Sequence, residues 1–149
     1  MSLNMRISKV RDVKTPNRGT PLSAGIDFYV PNDFEGRTVS PSESILIPSG
    51  IKAQVPKGHA LVAFNKSGVA VKKSLTVGAC LVDEDYQGEI HVHLINVGYE
   101  QQQVCPGDKV AQFVLLPVNY AGVEEVPLDH LYDGETERGS GGFGSTGSC

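Results

Sequence analysis

Alternation with a period of two runs through the middle of the chain. In residues 89–96 (EIHVHLIN), Ile90, Val92 and Leu94 fall on one face of an extended segment and Glu89, His91 and His93 on the other, which predicts a half-buried strand. Comparable runs, rich in β-branched and aromatic residues, occupy 45–47, 51–55, 60–64, 79–82 and 110–116. A further strand is expected at AGIDFYV (24–30) and a first one within residues 1–17. Seventeen glycines and nine prolines punctuate these runs. Beyond Thr15 no stretch free of both exceeds nine residues, so long helices are excluded. Gly58, Gly68, Gly78, Gly88, Gly98 and Gly107 recur at about one strand plus one turn, the rhythm of a sandwich or barrel. The pattern predicts an all-β, jelly-roll-like distorted barrel with one short helix at 67–73, where Ser67 is placed to cap. The last sixteen residues, GETERGSGGFGSTGSC, hold six glycines and one large apolar side chain, Phe143, and cannot make core. A domain over residues 1–133 followed by a flexible arm over 134–149 is the expected division.

Composition narrows the class. At 149 residues the chain makes about one domain, and 40% apolar with 20% charged residues is ordinary globular usage. A net charge of −4 argues against stable nucleic-acid binding and against an anionic membrane surface, so any polyanion must be met by a local cluster. No run approaches a membrane span, and Arg6 and Lys9 are not followed by the apolar core of an export signal. A cytoplasmic location is expected, or a host cell's cytoplasm or nucleus for a viral protein, and not secretion. Cys80, Cys105 and Cys149 are an odd number without C-x-x-C spacing, which suggests neither a disulfide framework nor a thiolate zinc site; Cys80 is expected to pack as a small apolar residue.

Four segments carry candidate chemistry. In GACLVDEDYQGEI (78–90) three consecutive acids, Asp83, Glu84 and Asp85, lie between apolar runs, with Tyr86 and Gly88 completing the pattern of a hairpin turn. Either the turn is simply solvated, or Asp83 projects inward as a general base or metal ligand while Glu84 and Asp85 face water. NKSGVAVKK (65–73) is either a turn with a basic face or a phosphate holder, using backbone N–H groups and lysine charge, without a Walker pattern. Gln112 is a polar interruption of an apolar strand, hydrogen-bonded structurally or in contact with ligand. Asp27 interrupts another and needs a charged or donor partner if buried. His91 and His93 share a face but lack a third ligand for a metal, and His59 and His130 stand alone near turns.

The order of these segments is distinctive: AGIDFYV, NKSGVAVK, GACLVDEDYQGEI, GDKVAQFVLLPV and ERGSGGFGSTG. From about Leu22 to Gly147 the chain resembles the trimeric deoxyuridine triphosphatase (dUTPase) family, which carries five such motifs at this spacing. The resemblance implies a jelly-roll subunit in a homotrimer whose active sites are each built from all three chains. It implies hydrolysis of dUTP to dUMP and pyrophosphate, which keeps uracil out of DNA and supplies dUMP for thymidylate synthesis. Asp83 would activate the water attacking the α-phosphorus. The third motif, with Ala79, Val82, Asp83 and Tyr86, would hold uracil and deoxyribose, the Tyr86 ring filling the space a 2′-hydroxyl needs. Lys66, Ser67, Gly68 and Gln112 would contact phosphates, and Asp27 would support their surroundings. From the last motif, Phe143 would stack on uracil, while Arg138, Gly144, Ser145 and Thr146 would hold the outer phosphates. The implied cofactor is Mg²⁺, held mainly by substrate phosphates and waters with no firm protein ligand.

One departure stands out: the family's second motif usually reads Arg-Ser-Gly, whereas this chain has Lys66-Ser67-Gly68, which keeps the charge but loses the planar fork. The related dCTP deaminases place a glutamate where this chain has His93. A non-catalytic binding trimer of the same fold would be expected to have lost Asp83, Arg138 or Phe143, and all three are present.

Overall fold

The period-two runs become strands, and their inward residues close over one core. The computed structural model describes residues 3–147, which divide into two compact units, one ending at Asn119 and one beginning at Tyr120. In the first unit the order is β1 (Arg6–Lys9), β2 (Ile26–Tyr29), β3 (Arg37–Val39), β4 (Ser44–Pro48), β5 (Ile51–Gln54), β6 (His59–Phe64), α1 (Ser67–Lys73), β7 (Leu75–Val77), β8 (Leu81–Val82), β9 (His91–Asn96), β10 (Gln102–Val104) and β11 (Lys109–Pro117). The strands pair antiparallel in sheets β2-β11-β6-β8 and β4-β9-β7 and in two-stranded ladders β1-β5 and β10-β3. The fold is all-β and jelly-roll-like with one short helix, as the spacing predicts, and its sheets among the described residues do not close into a barrel. Among those residues no helix is long and apolar enough to cross a membrane.

The alternation in β9 is observed as expected, with Val92 and Leu94 buried and His91 exposed. β11 lies between β2 and β6, so its inward residues meet both neighbours: Phe113 packs on Phe28 with ring centroids 4.4 Å apart. Each such fully buried side chain contributes about 1.5–3 kcal/mol. Buried polar groups are answered. Asn96, with no exposed surface, donates from Nδ2 to the Val39 and Glu100 carbonyls and accepts the Gly98 N–H at Oδ1. It thereby pins the end of β9 to β3 and to the loop that follows.

Four expectations change. Residues 83–89 are not a hairpin turn joining two paired strands, because β8 pairs with β6 while β9 pairs with β4 and β7. Val82 of β8 and Ile90, which immediately precedes β9, both enter the core, and the segment between them carries the chain from one sheet to the other. Ser67 does not cap α1. Lys66, with extended dihedrals, holds that position without a side-chain cap bond, and its carbonyl accepts the Ala70 N–H. Cys80 is exposed rather than packed, since it precedes the two-residue edge strand β8, whose Leu81 is also exposed. Glu84, expected to face water, accepts the Gly58 N–H at 2.7 Å. Cys105 is half-buried, and Cys149 lies outside the described residues.

The second unit contains a single 3₁₀ turn among its described residues, Leu128–His130, and otherwise runs as irregular chain with bends and short turns. The boundary expected after residue 133 falls inside it. Replacing Asn96 by alanine strands three main-chain groups in or near the interior. Urea denaturation is expected to show a loss of about 2–4 kcal/mol, and an unchanged midpoint would mean that these groups find other partners.

Candidate active site

A carboxylate in an apolar strand must find positive charge, and Asp27 does. It sits on β2, 5% exposed, with Lys66 Nζ 2.5 Å from Oδ1 and Lys109 Nζ 4.0 Å from Oδ2. The register of β11 sets Gln112 beside Asp27 on one side and Phe64 on the other. The Gln112 side chain lies over Gly25, where a Cβ would come within 2.1 Å of its Oε1, and donates to the Asn65 carbonyl at 2.8 Å. Asn65 in turn accepts the Val77 N–H at Oδ1 and donates to Thr76 Oγ1, so it fastens the entry of α1 to β7. Ser67 and Gly68 are left exposed at the start of the helix, and no atom would obstruct a Cβ at Gly68. Beside them opens a cleft of about 360 Å³ lined in part by Lys66, Gly68, Lys72, Lys73 and Lys109. This is the local positive cluster that an acidic chain needs in order to meet a polyanion.

A second cleft, of about 180 Å³, is lined by Ala79, Val82, Asp83, Tyr86, His91 and His93 among others. His93 Nδ1 accepts the Ala79 N–H at 2.9 Å, which requires the ring's proton on Nε2, and its carbonyl accepts the Gly78 N–H at 3.0 Å. A Cβ at Gly78 would lie 2.2 Å from that ring nitrogen, so glycine is required there. Asp83 is exposed at this cleft rather than projecting into the core, and its carbonyl accepts the Tyr86 N–H at 3.2 Å. The Tyr86 ring folds over Gly88 and its hydroxyl donates to the Glu89 carbonyl at 2.8 Å.

The structure thus gathers Asp27, Lys66, Gly68 and Gln112 around β2, β11 and α1, and Ala79, Val82, Asp83 and Tyr86 around a different cleft; the linings of the two clefts share no residue. In the second unit Arg138 Nε donates to the Gly141 carbonyl at 2.7 Å, Ser145 N–H donates to the Gly142 carbonyl, and Gly144 and Thr146 are exposed. Phe143 is fully exposed with φ 50°, a left-handed conformation uncommon for a bulky residue. Among the described residues no three His, Cys, Asp or Glu side chains gather in a metal-binding group.

Two groups near the second cleft carried no sequence signal. Glu89 accepts Arg11 Nε at 2.8 Å and Arg11 Nη2 at 3.2 Å, and also the Gly50 N–H at 2.9 Å. The 78-residue separation of the pair hides it from any local pattern. The hydrogen bonds from Arg11 hold the Glu89 carboxyl below its ordinary value, aided by the Gly50 N–H and opposed by partial burial.

A family model described as dUTPase matches residues 11–147. The chain is 42% identical over 133 residues to the mouse deoxyuridine 5'-triphosphate nucleotidohydrolase, covering 89% of this chain and 77% of that protein. It is 40% identical over 152 residues to the Desulfitobacterium hafniense protein of that name, covering 98% and 97%. The human mitochondrial protein of that name is 38% identical over 147 residues; 97% of this chain aligns, to 55% of its length. Among solved structures, the Staphylococcus bacteriophage 80alpha dUTPase with dUpNHpp superposes with a TM-score of 0.86 at 20% identity, covering 99% of this chain and all of that one. A mutant dUTPase of phage phi11 of S. aureus, described with a coordinated structural Mg(II) ion, has a TM-score of 0.75 at 20% identity over 83% of this chain and 97% of that one.

Because folding depresses the Glu89 pKa, its link to Arg11 contributes stability above the unfolded carboxylate value and loses it as pH falls through the folded one. Glu89→Gln is therefore expected to melt below the parent protein at neutral pH. The gap should close as the buffer is taken to about pH 2; a gap of constant size would assign the loss to something other than the ion pair.

Proposed function

The chain belongs to the dUTPase family, and on that footing we propose that it hydrolyses dUTP to dUMP and pyrophosphate, keeping uracil out of DNA and supplying dUMP for thymidylate synthesis. The observation that carries the reading is the small cleft in which Asp83 meets the apolar Val82 and the tethered Tyr86 ring. Uracil fits between the apolar walls, and the Tyr86 ring lies against deoxyribose, where a 2′-hydroxyl has no room. Main-chain groups of the 78–90 segment other than the Ala79 N–H pair with the polar edge of uracil, and a site that pairs polar groups in this way rejects a mismatched base by about 10⁴–10⁵. Ala79 lines this cleft, but its N–H is already taken by His93, so Ala79 contributes wall rather than donor. Its other walls come from Leu46, Leu81, Ile90 and Phe113.

Asp83, exposed at the cleft, takes a proton from the water that attacks the α-phosphorus in line, and pyrophosphate leaves. The triphosphate runs toward Ser67, Gly68 and Gln112, with lysine charge around it and Asp27 holding Lys66 in place. Since the two clefts have no lining residue in common, one chain does not present base and phosphate contacts in one cavity. A homotrimer that sets the first cleft of one subunit against the second of another supplies both. The fifth motif of a third chain then closes the site, with Phe143 stacked on uracil and Arg138, Gly144, Ser145 and Thr146 on the outer phosphates. The exposed Phe143 ring is consistent with that use.

Asp27 is engaged by Lys66, and Asp108, the carboxylate that lines the phosphate cleft, accepts the Cys105 N–H at 2.9 Å, which fits a magnesium ion carried on phosphate oxygens and waters rather than in a protein cage. When bound, the ion neutralises phosphate charge. The deaminase alternative is disfavoured because His93 stands where its carboxylate is needed and is committed to the Ala79 N–H.

Pyrophosphate release with magnesium is expected to be far faster from dUTP than from dCTP, dTTP, dATP, dGTP or UTP; equal release across bases would sink the specificity reading. Asp83→Asn is expected to lower kcat by about 10²–10⁴ with nucleotide still bound, and unchanged turnover would remove Asp83 from the mechanism.

A further inference from the structure

A phenol ring that screens a sugar excludes the 2′-hydroxyl only if the ring cannot swing aside. The Tyr86 ring has two restraints in the structure. Its hydroxyl end lies against Gly88, where a Cβ would come 2.4 Å from the hydroxyl oxygen, and the hydroxyl donates to the Glu89 carbonyl at 2.8 Å. The tether is therefore as rigid as that carbonyl. On one side its peptide plane is held by the Ile90 N–H, which donates to the Ile51 carbonyl at 2.9 Å. On the other, the Glu89 side chain is fixed at both oxygens: Oε2 accepts Arg11 Nε and the Gly50 N–H, and Oε1 accepts Arg11 Nη2. Arg11 is itself steadied by Asp33, 3.6 Å from Nη1. His91 Nδ1 also lies 3.0 Å from the Glu89 carbonyl, so two side chains lining the cleft converge on one backbone atom.

We propose that Arg11 and Glu89 are positioning residues for sugar selection: their paired contact, made across 78 residues of sequence, fixes the carbonyl that holds the Tyr86 ring against the nucleotide. The inference rests on the reading that Tyr86 packs on deoxyribose. Neither side chain touches substrate. A guanidinium fork on a carboxylate fixes orientation as well as distance, which a lysine in its place cannot do. Loss of the fork leaves the Gly50 and Ile51 contacts, so the cleft survives but its wall loosens. Ring displacement of about 1 Å is enough to change a reaction rate by as much as 10²-fold.

The test compares kcat/KM for dUTP and UTP, followed by pyrophosphate release from the parent protein and from Tyr86→Ala, Tyr86→Phe, Glu89→Gln and Arg11→Lys. Tyr86→Ala is expected to reduce the dUTP:UTP ratio most. Tyr86→Phe, which keeps the ring and cuts the tether, and Glu89→Gln should each reduce it about tenfold, with Arg11→Lys between these and the parent. A fall in melting temperature without a change in ratio would show a structural role only and overturn the proposal. If Glu89→Gln does not fold, Arg11→Lys decides alone. Should Tyr86→Ala lower the ratio while both fork variants stay within about twofold of the parent, positioning fails and the sugar reading stands. Should Tyr86→Ala leave the ratio intact, the sugar reading itself fails and takes the positioning role with it.

Discussion

A carboxylate with 5% exposure inside an apolar strand is tolerable only with a cation held against it, and the contact between Asp27 and Lys66 is the constraint around which one half of the candidate site is organised. Asp27 lies mid-strand on β2, and Lys66 is the residue immediately before α1. Their contact therefore fixes where the helix leaves the sheet. β11 completes the arrangement, because its register places Gln112 opposite both Asp27 and Phe64, and the Gln112 amide then reaches the Asn65 carbonyl. Three segments far apart in sequence are locked by one ion pair and one amide contact, and the exposed Ser67-Gly68 backbone is what they hold in position.

The second half of the site depends on a crossing rather than on a charge. β8 is only two residues long because the chain must leave the β2-β11-β6-β8 sheet there to enter β9 in the other. Such a crossing cannot satisfy itself through strand pairing, and its polar groups are met instead by side chains: His93 for the Ala79 N–H and the Tyr86 hydroxyl for the Glu89 carbonyl, while the Glu84 carboxylate reaches back to Gly58. The same irregularity that ends the ladder creates the concavity. A true hairpin would have paired these groups with each other and left a flat surface where Asp83 now stands at a cleft.

Periodicity was enough to find the strands that carry the core, since Ile90, Val92 and Leu94 declare their face in sequence and are buried as they declare. It could not find β3, β7 or β10, each three residues long and too short to show a period. The acids and turn residues of 83–88 suggested a hairpin because local chemistry is the same for a hairpin and a sheet-to-sheet crossing; which one forms depends on partners supplied by β4, β6 and β7. Candidate site residues stood out in sequence where a polar group broke an apolar run, as at Asp27 and Gln112, whose partners the fold supplies. They were invisible where the signal is a pairing at long range, as between Arg11 and Glu89. Cys80 misled for a related reason: its neighbours read as strand, but edge position decides burial, and edge position is not written locally.

Lysine at position 66, where the family usually has arginine, is intelligible from the geometry around Asp27. One ammonium reaches Oδ1, and the other oxygen faces Lys109 at 4.0 Å, so two lysines divide a carboxylate that a guanidinium fork would span alone. An arginine at 66 would take both oxygens and leave Lys109 without its nearest acid. The present arrangement commits the charge of Lys66 inward and keeps Lys109 only loosely engaged, with its side chain half exposed beside Lys72 and Lys73. In the proposed site the field felt by a triphosphate then comes from those three lysines rather than from residue 66, whose task is to hold the helix entry in register with β2. The positive charge open to the cleft thus rests on the ammonium groups of Lys72, Lys73 and Lys109, which offer reach rather than the directional contact of a planar fork.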